Sequence, residues 1–169
     1  PAFGHSNSDY EGTRTAISHG IRYATHLFNA MNGIHHRAPG AVTALLEDPR
    51  VSVEVISDGH HVDPPALRLI NRLKNEERVI LVSDSIQACG LADGRYQFAG
   101  VDVYLKEGVV RQKNGTLAGS ALTLERALEV QVKQAGEPLE KAVRYCTQNP
   151  ARAAGISRTA GTIAAGRRA

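Results

Sequence analysis

An α/β fold built as part of a (β/α)8 barrel is the class this sequence predicts, on three observations. Strand-like segments alternate with helical ones, which points to βα units and a parallel sheet. Four successive strand-like segments each end in His or Asp, and in such a barrel the C-terminal strand ends converge on one site. The chain has 169 residues, whereas a complete barrel needs about 250, so about half a barrel fits.

The elements follow in order. Ala2-Phe3-Gly4 leads as a short strand into His5. Ser8-Asp9-Tyr10-Glu11 has the capping-box pattern, so a helix is expected from Ser8 to about His19, closed by Gly20. A strand over Ile21 to Thr25 ends at His26. Asn29 to Gly40, with Gly33 and Pro39, reads as a loop, and Ala41 to Glu47 as a short helix. Val51 to Ile56 is a β-branched strand that ends in Ser57-Asp58-Gly59-His60-His61. Pro64-Pro65 opens a helix, where proline is welcome, and Leu67, Ile70 and Leu73 keep helical spacing. Val79 to Val82 is a buried strand ending in Ser83-Asp84-Ser85. Arg95 to Gln112 predicts a small β-hairpin or meander that turns at Glu107-Gly108. After a turn at Asn114-Gly115, helices are expected over Thr123 to Ala135, after Pro138 and around Ala151.

Composition narrows the function. The chain is 42% hydrophobic and 22% charged, ordinary values for a globular protein. With 5% aromatics and no Trp, the core must be built from Ala, Val, Leu and Ile. The balance of 20 Lys+Arg against 17 Asp+Glu gives +3, without the basic clustering that nucleic-acid binding needs. No apolar run is long enough for a bilayer and no signal-peptide pattern opens the chain. Neither nucleic acid nor membrane is therefore expected as a partner. Cys89 and Cys146 lack CxxC spacing and read as reduced thiols in a cytoplasmic protein.

Two histidines on adjacent strand ends, His5 and His26, suit a metal such as Zn²⁺, since neutral imidazole is a good ligand. A carboxylate at a further strand end, Asp84, could accept the proton of an activated water. A single strand-end histidine more often caps a carbonyl or faces solvent. The repetition over several strands favours a shared site, but spacing does not name a substrate.

The motifs are more specific. Gly4-His5-Ser6-Asn7, Thr25-His26-Leu27-Phe28-Asn29-Ala30-Met31, Asp58-Gly59-His60-His61-Val62-Asp63, Val82-Ser83-Asp84 and Gly115-Thr116-Leu117-Ala118-Gly119-Ser120 resemble the N-acetylglucosamine-6-phosphate deacetylases of the amidohydrolase superfamily. The resemblance covers essentially the whole chain, and the stretch from Thr25 to Met31 is its most specific part. It implies the last four βα units of an amidohydrolase-type barrel with a small β-hairpin insertion. Residues 1–155 would belong to that barrel, and 156–169 would begin the return to a small β domain.

The resemblance also implies roles. His5 and His26 would hold a divalent metal, Zn²⁺ by preference, with one or two ions per subunit in the family. Asp84 would be the acid/base. Asn29 and Ala30 would contact the sugar, Arg37 and His61 its 6-phosphate, Arg37 often reaching a neighbouring subunit, and Leu117, Ala118 and Gly119 would line the acetyl and sugar pocket. The implied reaction hydrolyses the acetamide of N-acetylglucosamine 6-phosphate to glucosamine 6-phosphate and acetate, in a cytoplasmic homodimer when full length. The family's remaining ligand, a Glu, lies upstream of the GHSN motif, and the four residues before His5 contain no acid. Both termini look cut, so a piece of a longer protein is expected. The alternatives are another amide hydrolase of the superfamily, or an inactive interaction module.

The other histidines and Cys89 read as bland. His35 and His36 are expected in solvent, His60 as structural or exposed, His19 at a helix end among carbonyls, and Cys89 as an inert buried thiol.

Overall fold

The structure, a computed structural model, describes residues 1–168. Four short strands, β1 (Ala2–Phe3), β2 (Tyr23–Ala24), β3 (Ser52–Val55) and β4 (Val79–Leu81), form one sheet in the order β1-β2-β3-β4. Every pairing is parallel, as the alternating pattern predicts. A sheet whose sequential neighbours are all paired in parallel is wound in one direction, as a barrel wall is.

Register aligns Phe3, Ala24, Val53 and Val79 across the sheet. Together with Val55 and Leu81 these residues are buried on one face, in the main core. The helices α1 (Tyr10–Ser18), α2 (Gly40–Glu47) and α3 (Pro64–Leu73) connect successive strands and supply Ile17, Val42, Leu45, Leu67 and Ile70 to it. The opposite face carries Ala2, Tyr23, Glu54 and Ile80, beside Ala153 and Ala154.

The first helix is capped one residue later than the capping-box pattern suggests. Asp9 Oδ1 accepts from the Gly12 N–H at 2.7 Å. Ser8 instead turns its hydroxyl to the Asp9 carbonyl, because an ionised carboxylate is the stronger acceptor at the positive helix end. Lys74, the residue that ends α3, buries its ammonium against the end of α2, donating to the carbonyls of Leu45 at 3.0 Å and Asp48 at 2.7 Å.

Between β4 and α4 (Leu124–Lys133) the chain makes a separate three-stranded antiparallel meander, β5 (Gly94–Phe98), β6 (Val101–Lys106) and β7 (Val109–Gln112). A second tight turn at Ala99-Gly100, both residues at positive φ, adds the third strand to the predicted hairpin. The meander has its own small core of Ile86, Ala88, Val103, Leu105, Val110 and Ala118. The helices α5 (Leu139–Cys146) and α6 (Gln148–Ala153) complete the chain's regular structure. Buried Asn149 fastens α6 to the start of β4, donating to the carbonyls of Glu76 and Val79 at 2.7 Å each.

Residues 156–168 form turns and bends. No helix of the described residues is long and apolar enough to cross a membrane.

Candidate active site

His5 lies just past β1, His26 just past β2, the Asp58–His61 group past β3 and Asp84 past β4. Because the strands are parallel, all four stations lie at one end of the sheet, as expected. Three of these residues also have left-handed backbones: φ is 50° at His5, 28° at His26 and 48° at Asp84. Phe28 and Ala30 in the loop after His26 do the same, at 77° and 52°. Non-glycine residues in that region cost about 1–3 kcal/mol each and persist where the surroundings over-determine them. Here they break the extended backbone just past the strand ends.

The two histidines meet. Their Nε2 atoms are 2.8 Å apart, with ring centroids 4.7 Å apart and planes tilted by 59°. Gly4 permits this approach, because a Cβ there would overlap Thr25 Cγ2. The main chains are joined by a bond from the Thr25 N–H to the Phe3 carbonyl at 2.9 Å. Two imidazoles brought together at Nε2 are donors of the type that holds a divalent metal. His26 Nδ1 is buried and without a partner, and no set of three or more His, Cys, Asp or Glu forms a metal site among the described residues.

His61 is positioned by a residue for which the sequence alone suggested no separate role. Asp58 Oδ2 accepts from His61 Nδ1 at 2.6 Å, while Oδ1 accepts the N–H groups of His60 and His61 at 2.8 Å each. Burial pushes the Asp58 carboxyl up. The His61 side-chain hydrogen bond, the two backbone N–H donors and the His61 charge outweigh it, leaving Asp58 below its ordinary value. The Asp-x-x-His spacing was the available signal.

Asp84 is exposed, and the 115–120 loop lies against it. The Ser120 N–H donates to the Asp84 carbonyl at 2.8 Å, and the Ser120 hydroxyl donates to the Ser83 carbonyl. Leu117 and Gly119 are half-buried. Ala118 is buried, its methyl in the meander core. Asn29 donates to the carbonyls of His26 at 3.2 Å and Leu27 at 3.3 Å, and so braces the loop that carries Ala30.

Arg37 is exposed beside His35 and His36, whose rings lie 4.5 Å apart. None of the ion pairs among the described residues uses its guanidinium. His60 is likewise exposed, and His19 Nδ1 donates to the Thr15 carbonyl, 2.8 Å away, at the end of α1. Cys89 is half-buried, its thiol directed to the Ala121 carbonyl at 3.4 Å.

Comparison with known proteins gives a consistent result. The model of the Amidohydrolase family matches residues 2–169. An N-acetylgalactosamine-6-phosphate deacetylase of Escherichia coli O157:H7 is 40% identical over 166 residues, which are 98% of this chain and 44% of that protein. An N-acetylglucosamine-6-phosphate deacetylase of Vibrio furnissii is 39% identical over 164 residues, 97% of this chain and 41% of that protein. Among solved structures, an aspartate-to-alanine mutant of the N-acetyl-D-glucosamine-6-phosphate deacetylase of Mycobacterium smegmatis, in complex with N-acetyl-D-glucosamine-6-phosphate, superposes with a TM-score of 0.94. It is 42% identical, over 99% of this chain and 45% of that one. The chain thus spans less than half the length of these relatives.

Proposed function

The chain belongs to the amidohydrolase family, and from that premise we propose that it forms the C-terminal half of a metal-dependent deacetylase barrel acting on N-acetylglucosamine 6-phosphate. The observation that carries this reading is the convergence of His5 and His26 at 2.8 Å at the end of the sheet that also bears Asp84.

His5 and His26 would hold the metal, Zn²⁺ by preference, through Nε2. When bound, a divalent ion supplies Lewis acidity toward the acetamide carbonyl and toward water. Asp84 takes the proton of the attacking water and returns it to the departing amine nitrogen, giving glucosamine 6-phosphate and acetate. Arg37, in no ion pair among the described residues, offers a paired-donor fork to the 6-phosphate, either in its own site or in that of a neighbouring subunit of a homodimer. His61, fixed at Nδ1 by Asp58, would use its remaining ring nitrogen, Nε2, on the same substrate. Asn29, Ala30 and the backbone of 117–119 shape the sugar and acetyl pocket. Two free cysteines agree with a reducing, cytoplasmic setting.

A second substrate reading is favoured by one observation, the relative named for N-acetylgalactosamine 6-phosphate at 40% identity. The two sugars differ only in configuration at one hydroxyl carbon. The reading of an inactive module is supported by the absence of a third metal ligand among the described residues. Acetate release from the two phosphorylated epimers and from unphosphorylated N-acetylglucosamine, with and without added Zn²⁺, separates the three. Metal-dependent release from a phosphorylated epimer supports the enzyme. No release from any sugar, even when the N-terminal part of a full-length relative precedes Pro1, supports the module.

A further inference from the structure

Glu54 is the one charged residue of β3, whose other members are buried. It grips the residues on both sides of His26. Its side chain accepts from the Thr25 hydroxyl, with Oγ1 2.9 Å from Oε2. Its main-chain carbonyl accepts the Leu27 N–H at 2.8 Å. Thr25 in turn packs its methyl on Gly4, the residue before His5. One residue of β3 therefore fixes the pitch of His26, and through Thr25 it fixes the contact between the two histidine-bearing strand ends.

We propose that Glu54 is a positioning residue for the His5–His26 pair. It forms no metal-ligand cluster with the histidines, so its effect is exerted through geometry. His26 sits at φ 28° with Nδ1 buried and unpartnered. A strained backbone and an unpartnered ring nitrogen leave the ring little support of its own. The carboxylate replaces that support by removing the rotational freedom of Thr25. A carboxylate on an otherwise uncharged, buried strand is costly unless it is hydrogen-bonded, and the Thr25 hydroxyl supplies such a bond.

The inference rests on the metal-holding reading of the two histidines, and its test has a readout that needs no metal. The ring ¹⁵N signals of His26 are recorded by long-range proton–nitrogen NMR in the wild-type chain. The same spectra are taken of Thr25→Val, Glu54→Ala, Glu54→Gln and His5→Ala. His5→Ala defines the position of Nε2 without its partner ring. Thr25→Val and Glu54→Ala should move His26 Nε2 toward that position, and Glu54→Gln, whose amide oxygen still accepts from Thr25, should stay with wild type. Co²⁺ titration should show affinity reduced about 10–100-fold in the first two variants, the usual loss when an outer partner of a ligand is removed, and rescued in Glu54→Gln. If Thr25→Val and Glu54→Ala keep the wild-type ring signals, the proposal is overturned. Should either variant fail to fold, the other carries the same comparison, and Thr25→Val preserves the shape of the side chain. Equal Co²⁺ affinity in wild type and His5→Ala would instead sink the metal reading, while the ring signals still decide the role of Glu54.

Discussion

Gly119 lies against Asp84 so closely that a Cβ on it would sit 3.1 Å from the Asp84 carbonyl oxygen and 2.5 Å from Ile86 Cγ2. Its φ of +59° adds the left-handed conformation that glycine adopts at no steric cost. The 115–120 loop is thus pressed onto the strand end that bears the proposed acid/base, and Ser120 fastens it there through two carbonyls.

Gly119→Ala should therefore destabilise the chain by about 1–3 kcal/mol, the range for overpacking and for a strained backbone. Urea unfolding at neutral pH measures it. A midpoint unchanged from wild type would show that the loop lifts away from Asp84 without cost.

The Asp58–His61 pair predicts an acid limb of stability. The folded Asp58 carboxyl is held below its unfolded value, so in acid the unfolded chain binds more protons than the folded one. The stabilisation is fully present above the unfolded value, about pH 4, and is lost as pH falls through the folded one. Asp58→Asn should lower stability at pH 7 and flatten the profile below pH 4 relative to wild type. Parallel acid profiles for the two proteins would show that the pair contributes nothing by ionisation.

Lys74 predicts a trend at the other end of the scale. Burial first, with the Arg78 charge assisting against the opposing pull of Asp48, pushes its ammonium down to about 8. The folded chain therefore releases this proton before the unfolded chain does, and Lys74 adds stability as pH rises from about 8 toward about 10.4. The neutral amine keeps two N–H donors, enough for the Leu45 and Asp48 carbonyls. Lys74→Met should remove this rise. It should also cost about 1–3 kcal/mol at pH 7 by leaving the Leu45 carbonyl unpaired, while the Asp48 carbonyl keeps the Val51 N–H, read from thermal or urea unfolding.

The strand order and the shared strand end were legible because they depend on local signals, a polar residue that closes an apolar β-branched run. His5, His26 and Asp84 were found that way, and the motifs around them sharpened the reading. What depends on register was not legible. The grip of Glu54 on Thr25 and Leu27 joins residues 29 and 27 positions apart, and only the pairing of β2 with β3 brings them together. An acid within Val51 to Ile56 was the available hint. The left-handed φ values at His5, His26 and Asp84 were also hidden, since none of these residues demands that conformation as glycine would permit it. The first helix shows the limit of pattern matching: Ser8 and Asp9 both satisfy a cap rule, and the stronger acceptor decides. Ala118 belongs to a recognisable loop motif, yet its methyl is taken by a meander core that the motif does not encode.

Holding the metal and moving the proton fall to different residues and can be separated. Asp84 is exposed at the strand end, while His5 and His26 face each other through Nε2. In a chimera that places the N-terminal part of a full-length relative before Pro1, Asp84→Asn keeps shape and hydrogen bonding but removes the basic site. Metal content should then stay near wild type while kcat falls by about 10²–10⁴-fold, the usual share of a general acid–base group. His5→Ala or His26→Ala should lose the metal itself, because a hydrolytic zinc site commonly rests on three protein ligands. Arg37→Ala gives a third pattern, with KM raised for the phosphorylated sugar far more than for N-acetylglucosamine, since only a phosphate uses the paired donors of a guanidinium. The 169-residue chain alone brings two histidines together without a third ligand among its described residues, so it should bind Zn²⁺ weakly and release little acetate. Tight stoichiometric Zn²⁺ in the purified chain would refute the two-ligand site and direct attention to His35, His36 and His60. Metal analysis alongside acetate assays on the same preparations distinguishes these outcomes.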